Sequence, residues 1–187
     1  MFCKSAHVYF RENTEGSPYN YLEIGVFNGE SIGLMADAFP DKKIFAVDPF
    51  IEDGFTSHTS GVDRGQKMPT QRESTLKNIA GKKNAHLIEK TSKEFAESLE
   101  DWVVQLMNVG WVLIDGSHHY EDVVIDYELA MRLIGDMPGG IIFDDVDIEG
   151  VERAHKEFIA KYGNRITSIR DISMGKPGTI MAYGINK

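Results

Sequence analysis

Short apolar runs alternate along the chain with stretches whose apolar positions recur at three- and four-residue spacing. The first run, Tyr21–Ile24, stops at Gly25, and a helical stripe follows through Ile32, Met35 and Phe39, closed by Pro40. Ile44–Val47 predicts a second buried strand ending at Asp48–Pro49. Thr75–Ala80 predicts a short helix and Ala85–Ile88 a third strand. Phe95, Leu99, Trp102, Val103 and Leu106 follow one helix period, and Trp111–Ile114 is a fourth strand closed by Asp115–Gly116. Val123, Tyr127, Met131 and Ile134 mark the next helix. Pro138-Gly139-Gly140 then turns the chain into the strand Ile141–Phe143, which ends at Asp144–Asp145. Val151, Ala154, Phe158, Ile159 and Tyr162 make a last helix. Ile166–Arg170 and Thr179–Tyr183 read as a closing hairpin around Lys176-Pro177-Gly178.

This alternation predicts an α/β fold of one domain over residues 1–187. It is Rossmann-like and doubly wound, a mainly parallel seven-stranded sheet with a C-terminal antiparallel hairpin. Little precedes the first strand. In such sheets ligands bind outside the carboxyl ends of the strands. The chemistry is therefore sought at Gly25, Asp48, Glu89, Asp115 and Asp144. The connection from Phe50 to Pro69 has no clear period and carries Gly54, Gly61 and Gly65, which suits a mobile lid over an acceptor.

Composition narrows the classes. Hydrophobic residues make up 42% of the 187, so the chain can build a core. Its longest apolar runs, such as Gly110–Ile114 and Gly140–Phe143, are too short to span a bilayer. Met1–Phe10 lacks a basic start followed by an apolar stretch, and Cys3 is the only cysteine, so a cytoplasmic protein is expected. The formal net charge of −9, with no Lys/Arg cluster, argues against nucleic acid as the main substrate.

At the end of the first strand stands Glu23-Ile24-Gly25-Val26-Phe27-Asn28-Gly29-Glu30-Ser31. Glycines in a strand-to-helix turn let the backbone approach a ligand, and the helix start offers free N–H groups to an anion. The spacing is G-x-x-x-G, not the G-x-G-x-x-G of a pyrophosphate loop. Asp48 lies about 20 residues beyond, where an acid can accept from ribose hydroxyls. A glycine turn can be purely structural and Asp–Pro can simply begin a turn; together they favour a ribose-bearing cofactor.

Leu22-Glu23-Ile24-Gly25 through Gly29-Glu30-Ser31 resembles motif I of class I S-adenosylmethionine (SAM)-dependent methyltransferases. It is most similar to the catechol O-methyltransferase-like enzymes and the macrocin O-methyltransferase / cephalosporin hydroxylase-like group. Asp115-Gly116-Ser117-His118-His119-Tyr120-Glu121, with Asp126, resembles the D-G-x-H-x-Y-E segment of that second group. Pro138-Gly139-Gly140 and Asp144-Asp145 resemble its P-G-G and D-D. The resemblance covers Tyr21 to Asp145. It implies that Glu23, Gly25, Phe27 and Ser31, with Gly29 in the same turn, line the methionine end of SAM. It further implies that Asp48 holds the ribose, that Asp115 borders the cofactor and that Ser92 lies against the adenine. Many relatives have Gly-Asp-Ser where this chain has Lys90-Thr91-Ser92.

Asp115 ends the fourth strand and Asp144 and Asp145 the fifth. Three carboxylates converging there would repel unless protonated or neutralised, and Mg²⁺ is a natural partner. Related metal-dependent methyltransferases use these positions for their ion. The alternative is that Asp144 caps the next segment and Asp145 is solvated. His118 stands where those relatives carry the catalytic base, Lys in some and His in others, and an imidazole suits that role. His119 is expected to face away at the surface, and His58 to ride on the long connection. His7, His86 and His155 read as structural or exposed, and Trp102 and Trp111 as core. The expected reaction is metal-assisted O-methylation of a small molecule with adjacent hydroxyls, a sugar or catechol-like ring. A second subunit could complete the acceptor site. The rival readings are an NAD-type oxidoreductase and a non-catalytic SAM-binding module.

Overall fold

Strand β1 (Asn20–Ile24) buries both its faces: Leu22 and Ile24 turn to one side, Tyr21 and Glu23 to the other. A strand buried on both sides must lie in the interior of a sheet covered by helices. The computed structural model describes residues 4–14, 16–50, 70–173 and 179–186. Of the lid expected over Phe50–Pro69, residues 51–69, with His58, lie outside the described residues, as does the turn at Lys176-Pro177-Gly178.

The remaining strands are β2 (Ile44–Val47), β3 (Ala85–Ile88), β4 (Val109–Ile114), β5 (Gly139–Phe143), β6 (Ile166–Asp171) and β7 (Met181–Ile185). They form one seven-stranded sheet in the order β3-β2-β1-β4-β5-β7-β6. The first five run parallel, and β7 runs antiparallel between β5 and β6. This is the expected doubly wound architecture with its closing hairpin. The last strand begins two residues later than Thr179, and Ile141 pairs with Tyr183.

Helices α1 (Lys4–Thr14) and α2 (Glu30–Ala38) cover one face, and α3 (Gln71–Asn78) packs beside α2. Helices α4 (Ser92–Ser98), α5 (Asp101–Met107), α6 (Tyr120–Ile134) and α7 (Glu149–Tyr162) contribute to the opposite face. On the first face Phe10 of α1 packs edge-on against Tyr21, Phe39 and Trp111. It is fully buried, which contributes about 1.5–3 kcal/mol. On the second, Tyr127, Phe143, Phe158 and Tyr183 form a cluster of tilted and edge-on rings. Helix α1 was not foreseen; among its described side chains Ala6, Tyr9, Phe10 and Thr14 are buried.

The single helix expected through Phe95–Leu106 is two. Leu99 is extended, at φ −79° and ψ 124°, and ends α4. Arg132 of α6 holds the break: its guanidinium donates to the Ala96 carbonyl at 3.0 Å and to the Leu99 carbonyl at 2.8 Å. The second helix therefore points its stripe elsewhere. Trp102 is 61% and Leu106 66% exposed, so Trp102 is not a core residue, whereas Trp111 is.

Candidate active site at the carboxyl edge of the sheet

The ends of β1, β2, β4 and β5 are stitched by backbone hydrogen bonds. Gly25 N–H donates to Val47 at 3.0 Å, Asp115 N–H to Ile24 at 2.9 Å and Asp144 N–H to Ile114 at 3.0 Å. These bonds bring the first glycine, the second-strand acid and the two later acids to one edge. Gly25 has φ +86°, and a Cβ there would lie 2.1 Å from the Asp115 carbonyl oxygen, so no other residue fits. Gly29 stands at φ +74° as the N-cap of α2, where a Cβ would meet the Thr75 backbone at 2.7 Å. Between them Phe27 is also left-handed, at φ +52°, and is 51% exposed.

Asp48 organises this turn. Its Oδ2 accepts from Val26 N–H at 2.8 Å and Phe27 N–H at 3.4 Å, and its Oδ1 from Phe50 N–H at 2.8 Å. Each carboxylate oxygen has two lone pairs, so Oδ1 keeps capacity for one ligand hydroxyl. Glu23 lies beneath the turn, almost wholly buried. It accepts from the Ser31 hydroxyl at 2.6 Å and the Tyr21 hydroxyl at 3.4 Å. Burial raises its pKa to about 7, against the opposing effect of those two bonds, and Asp48 adds to the rise.

A cavity of about 360 Å³ opens on this edge, within the usual range for small-molecule sites. Gly25, Phe27 and Asp48 form one side of it, and Asp115, Gly116 and Ser117 its middle. Thr91, Ser92 and Lys93 at the start of α4 close it together with Asp122 and Asp126 of α6. Of the residues assigned to the cofactor, Gly25, Phe27, Asp48, Ser92 and Asp115 line this space. Gly29, Glu23 and Ser31 support the turn from behind. His119, expected to face away, lines the cavity although it is solvent-exposed.

Beside the cavity β4 and β5 place Asp115 and Asp144 next to each other, as Ile114 pairs with Phe143. Asp115 is open to the cavity but ringed by protein, and its pKa is raised well above the ordinary value by desolvation first, then by Asp144, Glu23 and Asp145. The metal expectation is not met by this geometry. Asp145 is left-handed, at φ +53°, which turns its carboxylate onto His118, Oδ2 to Nε2 at 3.2 Å. Asp144 Oδ1 accepts from the Asp145 N–H at 2.9 Å. Among the described residues no three His, Cys, Asp or Glu side chains converge as a metal site. Asp115, Asp144 and Asp145 are near enough to repel but do not point at one ion. The pair with Asp145 raises the His118 pKa and lowers that of Asp145.

Asp126 was noted in the sequence only as part of a motif. It sits on the buried face of α6, 2% exposed, between Val123 and Ala130 in the helical stripe. A charged residue on that stripe was the available signal.

Comparison with known proteins agrees with this architecture. Residues 22–146 match the family model described as a methyltransferase domain. An uncharacterized protein of Acanthamoeba polyphaga mimivirus is 26% identical over 151 residues, covering 78% of this chain. The chain spans 62% of the length of that relative. A Staphylococcus aureus protein assigned as a caffeoyl-CoA O-methyltransferase superposes with a TM-score of 0.66 at 14% identity, over 98% of this chain and 84% of that one. A cofactor-bound protein from MTB superposes with a TM-score of 0.66 at 14% identity, over 100% and 82%. No described helix is long and apolar enough to cross a membrane. With the family model covering the glycine turn, the strand-ending acids and α6, the chain belongs to the methyltransferase-domain family and has the fold of class I SAM-dependent methyltransferases.

Proposed function

We propose that this chain transfers a methyl group from SAM to a hydroxyl of a small acceptor. The observation that carries the reading is the cavity where the glycine turn, Asp48 and Asp115 meet. The residues fit the cofactor. Gly25 lets the ends of β1 and β4 close up beneath the cavity, Asp48 keeps one lone pair for a ribose hydroxyl, and the open Asp115 carboxyl suits a cationic end. SAM supplies a methyl already activated by its sulfonium. The chain aligns acceptor and cofactor and removes one proton.

His118 is the base of this proposal. Its Nε2–H donates to Asp145, which fixes the ring and leaves Nδ1 to accept the acceptor's proton. The similarity to a protein assigned as an O-methyltransferase supports oxygen as the attacking atom. The acidic surroundings and net charge of −9 favour a neutral, hydroxylated small molecule, such as a sugar or catechol-like ring, over a polyanion. No step is routed through a metal ion, because the Asp145 carboxylate faces His118.

Calorimetry with S-adenosylhomocysteine and a methyl-transfer assay on a panel of hydroxylated acceptors test the reading. His118→Ala should keep the affinity for the product within about threefold and slow turnover at least about 100-fold. Absence of product binding by the unmodified chain overturns the cofactor reading, and normal turnover in the variant removes the base.

A further inference from the structure

Helix α7 carries a glycine in its first turn that its own backbone does not call for. Gly150 is helical and lies outside the left-handed region, so any residue fits its backbone, and alanine is the better helix former. What Gly150 provides is room. A Cβ there would stand 2.1 Å from the His118 carbonyl oxygen and 3.1 Å from the Tyr120 backbone nitrogen. The segment His118–Tyr120 therefore rests directly on the helix. Further along the same face, at helical spacing, α7 grips that segment through side chains. The Arg153 guanidinium stacks on the Tyr120 ring, 3.8 Å from its centre. Glu157 accepts from the Tyr120 hydroxyl through one carboxylate oxygen and from the Tyr127 hydroxyl at 3.0 Å through the other. The partner of His118 is tied to the same helix start: the Asp145 carbonyl accepts from Ile148 N–H at 2.9 Å.

We propose that Gly150 is a positioning residue for His118: its missing side chain seats the His118 segment on α7, and this seat holds the imidazole against Asp145. The inference rests on the reading of His118 as the base. The seat sets the height of the segment over the helix, and with it the 3.2 Å contact between His118 Nε2 and Asp145 Oδ2. A methyl group at position 150 meets backbone, not the tip of a flexible side chain. To reach an ordinary contact of 3.4 Å the carbonyl oxygen and the helix must part by about 1 Å. If the segment yields, the imidazole rises off Asp145. If the helix yields, it draws Asp145 away through Ile148. A hydrogen bond that starts at 3.2 Å does not survive such a shift. The ring is then free to take either tautomer, and Nδ1 no longer holds a lone pair toward the acceptor. A misplacement of that size costs about 100-fold in rate. Cofactor binding at the glycine turn and Asp48 does not pass through this seat.

The test compares the unmodified chain with Gly150→Ala and with Gly163→Ala. Gly163 ends the same helix at φ −56° with nothing within 4 Å of its would-be Cβ, so it serves as the control. Long-range proton–nitrogen NMR of the histidine rings, in alkaline solution where they are neutral, reports the tautomer, and His118→Ala assigns the signal. Turnover, S-adenosylhomocysteine affinity and thermal melting are measured on each. The unmodified chain and Gly163→Ala should show His118 as the Nε2–H tautomer alone. Gly150→Ala should show mixed tautomers and turnover slowed about 100-fold, with product affinity kept within about threefold. A merely structural glycine would move the melting temperature and leave the tautomer unchanged. The Nε2–H tautomer alone in a folded Gly150→Ala therefore overturns the proposal. If Gly150→Ala does not fold, Tyr120→Ala decides, since it removes the Arg153 stack and the Glu157 bond without adding an atom. Mixed tautomers there support the seat, and the Nε2–H tautomer alone refutes it. Normal turnover in His118→Ala refutes the base reading itself, and the tautomer comparison still judges the seat, so the two failures are distinct.

Discussion

Two glycines with nearly the same backbone angle separate conformational strain from steric exclusion. Gly81 has φ +79° and open space around its would-be Cβ. Alanine there bears only the left-handed penalty, partly offset by the stiffer unfolded chain, for a net cost of about 1 kcal/mol. Gly25 has φ +86°, and its Cβ would stand 2.1 Å from the Asp115 carbonyl oxygen and 2.6 Å from Gly116 Cα. Those are backbone atoms, so the ends of β1 and β4 must part until contacts reach at least 3.4 Å. That movement breaks the bond from Asp115 N–H to Ile24, now 2.9 Å. Adding about 1 kcal/mol for the bond and about 2 for the overpacking gives a total near 4 kcal/mol. For a chain of this size Gly81→Ala should lower the melting temperature by about 2–4 °C and Gly25→Ala by about 8–16 °C. Urea titrations followed by circular dichroism, with calorimetric binding of S-adenosylhomocysteine, measure both. If the two variants lie within 1 kcal/mol of each other, or Gly25→Ala binds as tightly as the unmodified chain, the close approach at this edge is refuted.

Glu23, ordinarily near 4.5 and raised to about 7 by burial, penalises the folded state once it ionises. The penalty is absent below the unfolded value, grows through pH 7 and levels off at about 3 kcal/mol. Glu23→Gln should therefore gain stability at pH 8 relative to the unmodified chain and none at pH 4; equal pH profiles in denaturant titrations would contradict the burial. Asp48→Ala removes the acceptor of the Val26, Phe27 and Phe50 amides, and calorimetry should show product affinity lowered at least about tenfold, with about 2 kcal/mol of stability lost. Trp102→Ala should change stability by less than about 0.5 kcal/mol and Trp111→Ala by about 3–5, and the reverse order would restore Trp102 to the core.

The central strands β4 and β5 were legible because they are buried on both faces and so read as unbroken apolar runs bounded by turn residues. Helix starts were less so, although two carried written signals. Thr70–Glu73 and Thr91–Glu94 are capping boxes that set the beginnings of α3 and α4. The break at Leu99 had no local mark, since Arg132, far along the chain, holds it. Strand adjacency placed Asp115 beside Asp144 correctly, as strand order can be reasoned from topology. The direction of the Asp145 side chain depends on a left-handed φ that no spacing rule conveys. Asp126 was readable as an oddity, an acid in an apolar stripe, but its unpaired oxygen appears only once Gly116 and Ser92 are packed against it.

The place of β1 in the middle of the sheet also sets a timetable. Tyr21 pairs with Ile44 on one side and with Trp111 on the other. The first partner is made soon after β1, and the second arrives only after a long excursion through α2, β2, α3, β3, α4 and α5. At roughly 5–20 residues per second of synthesis, β1 waits about 5–18 s with one edge unsatisfied. The entropy of closing so long a loop is modest, since it grows only with the logarithm of length. The consequence is one of timing: the β1 edge that β4 covers in the finished sheet is made well before its partner. In assembly from the amino end, the edge of β1 that faces β4 has no strand partner until β4 is made, and the docking of β4 at the centre closes it.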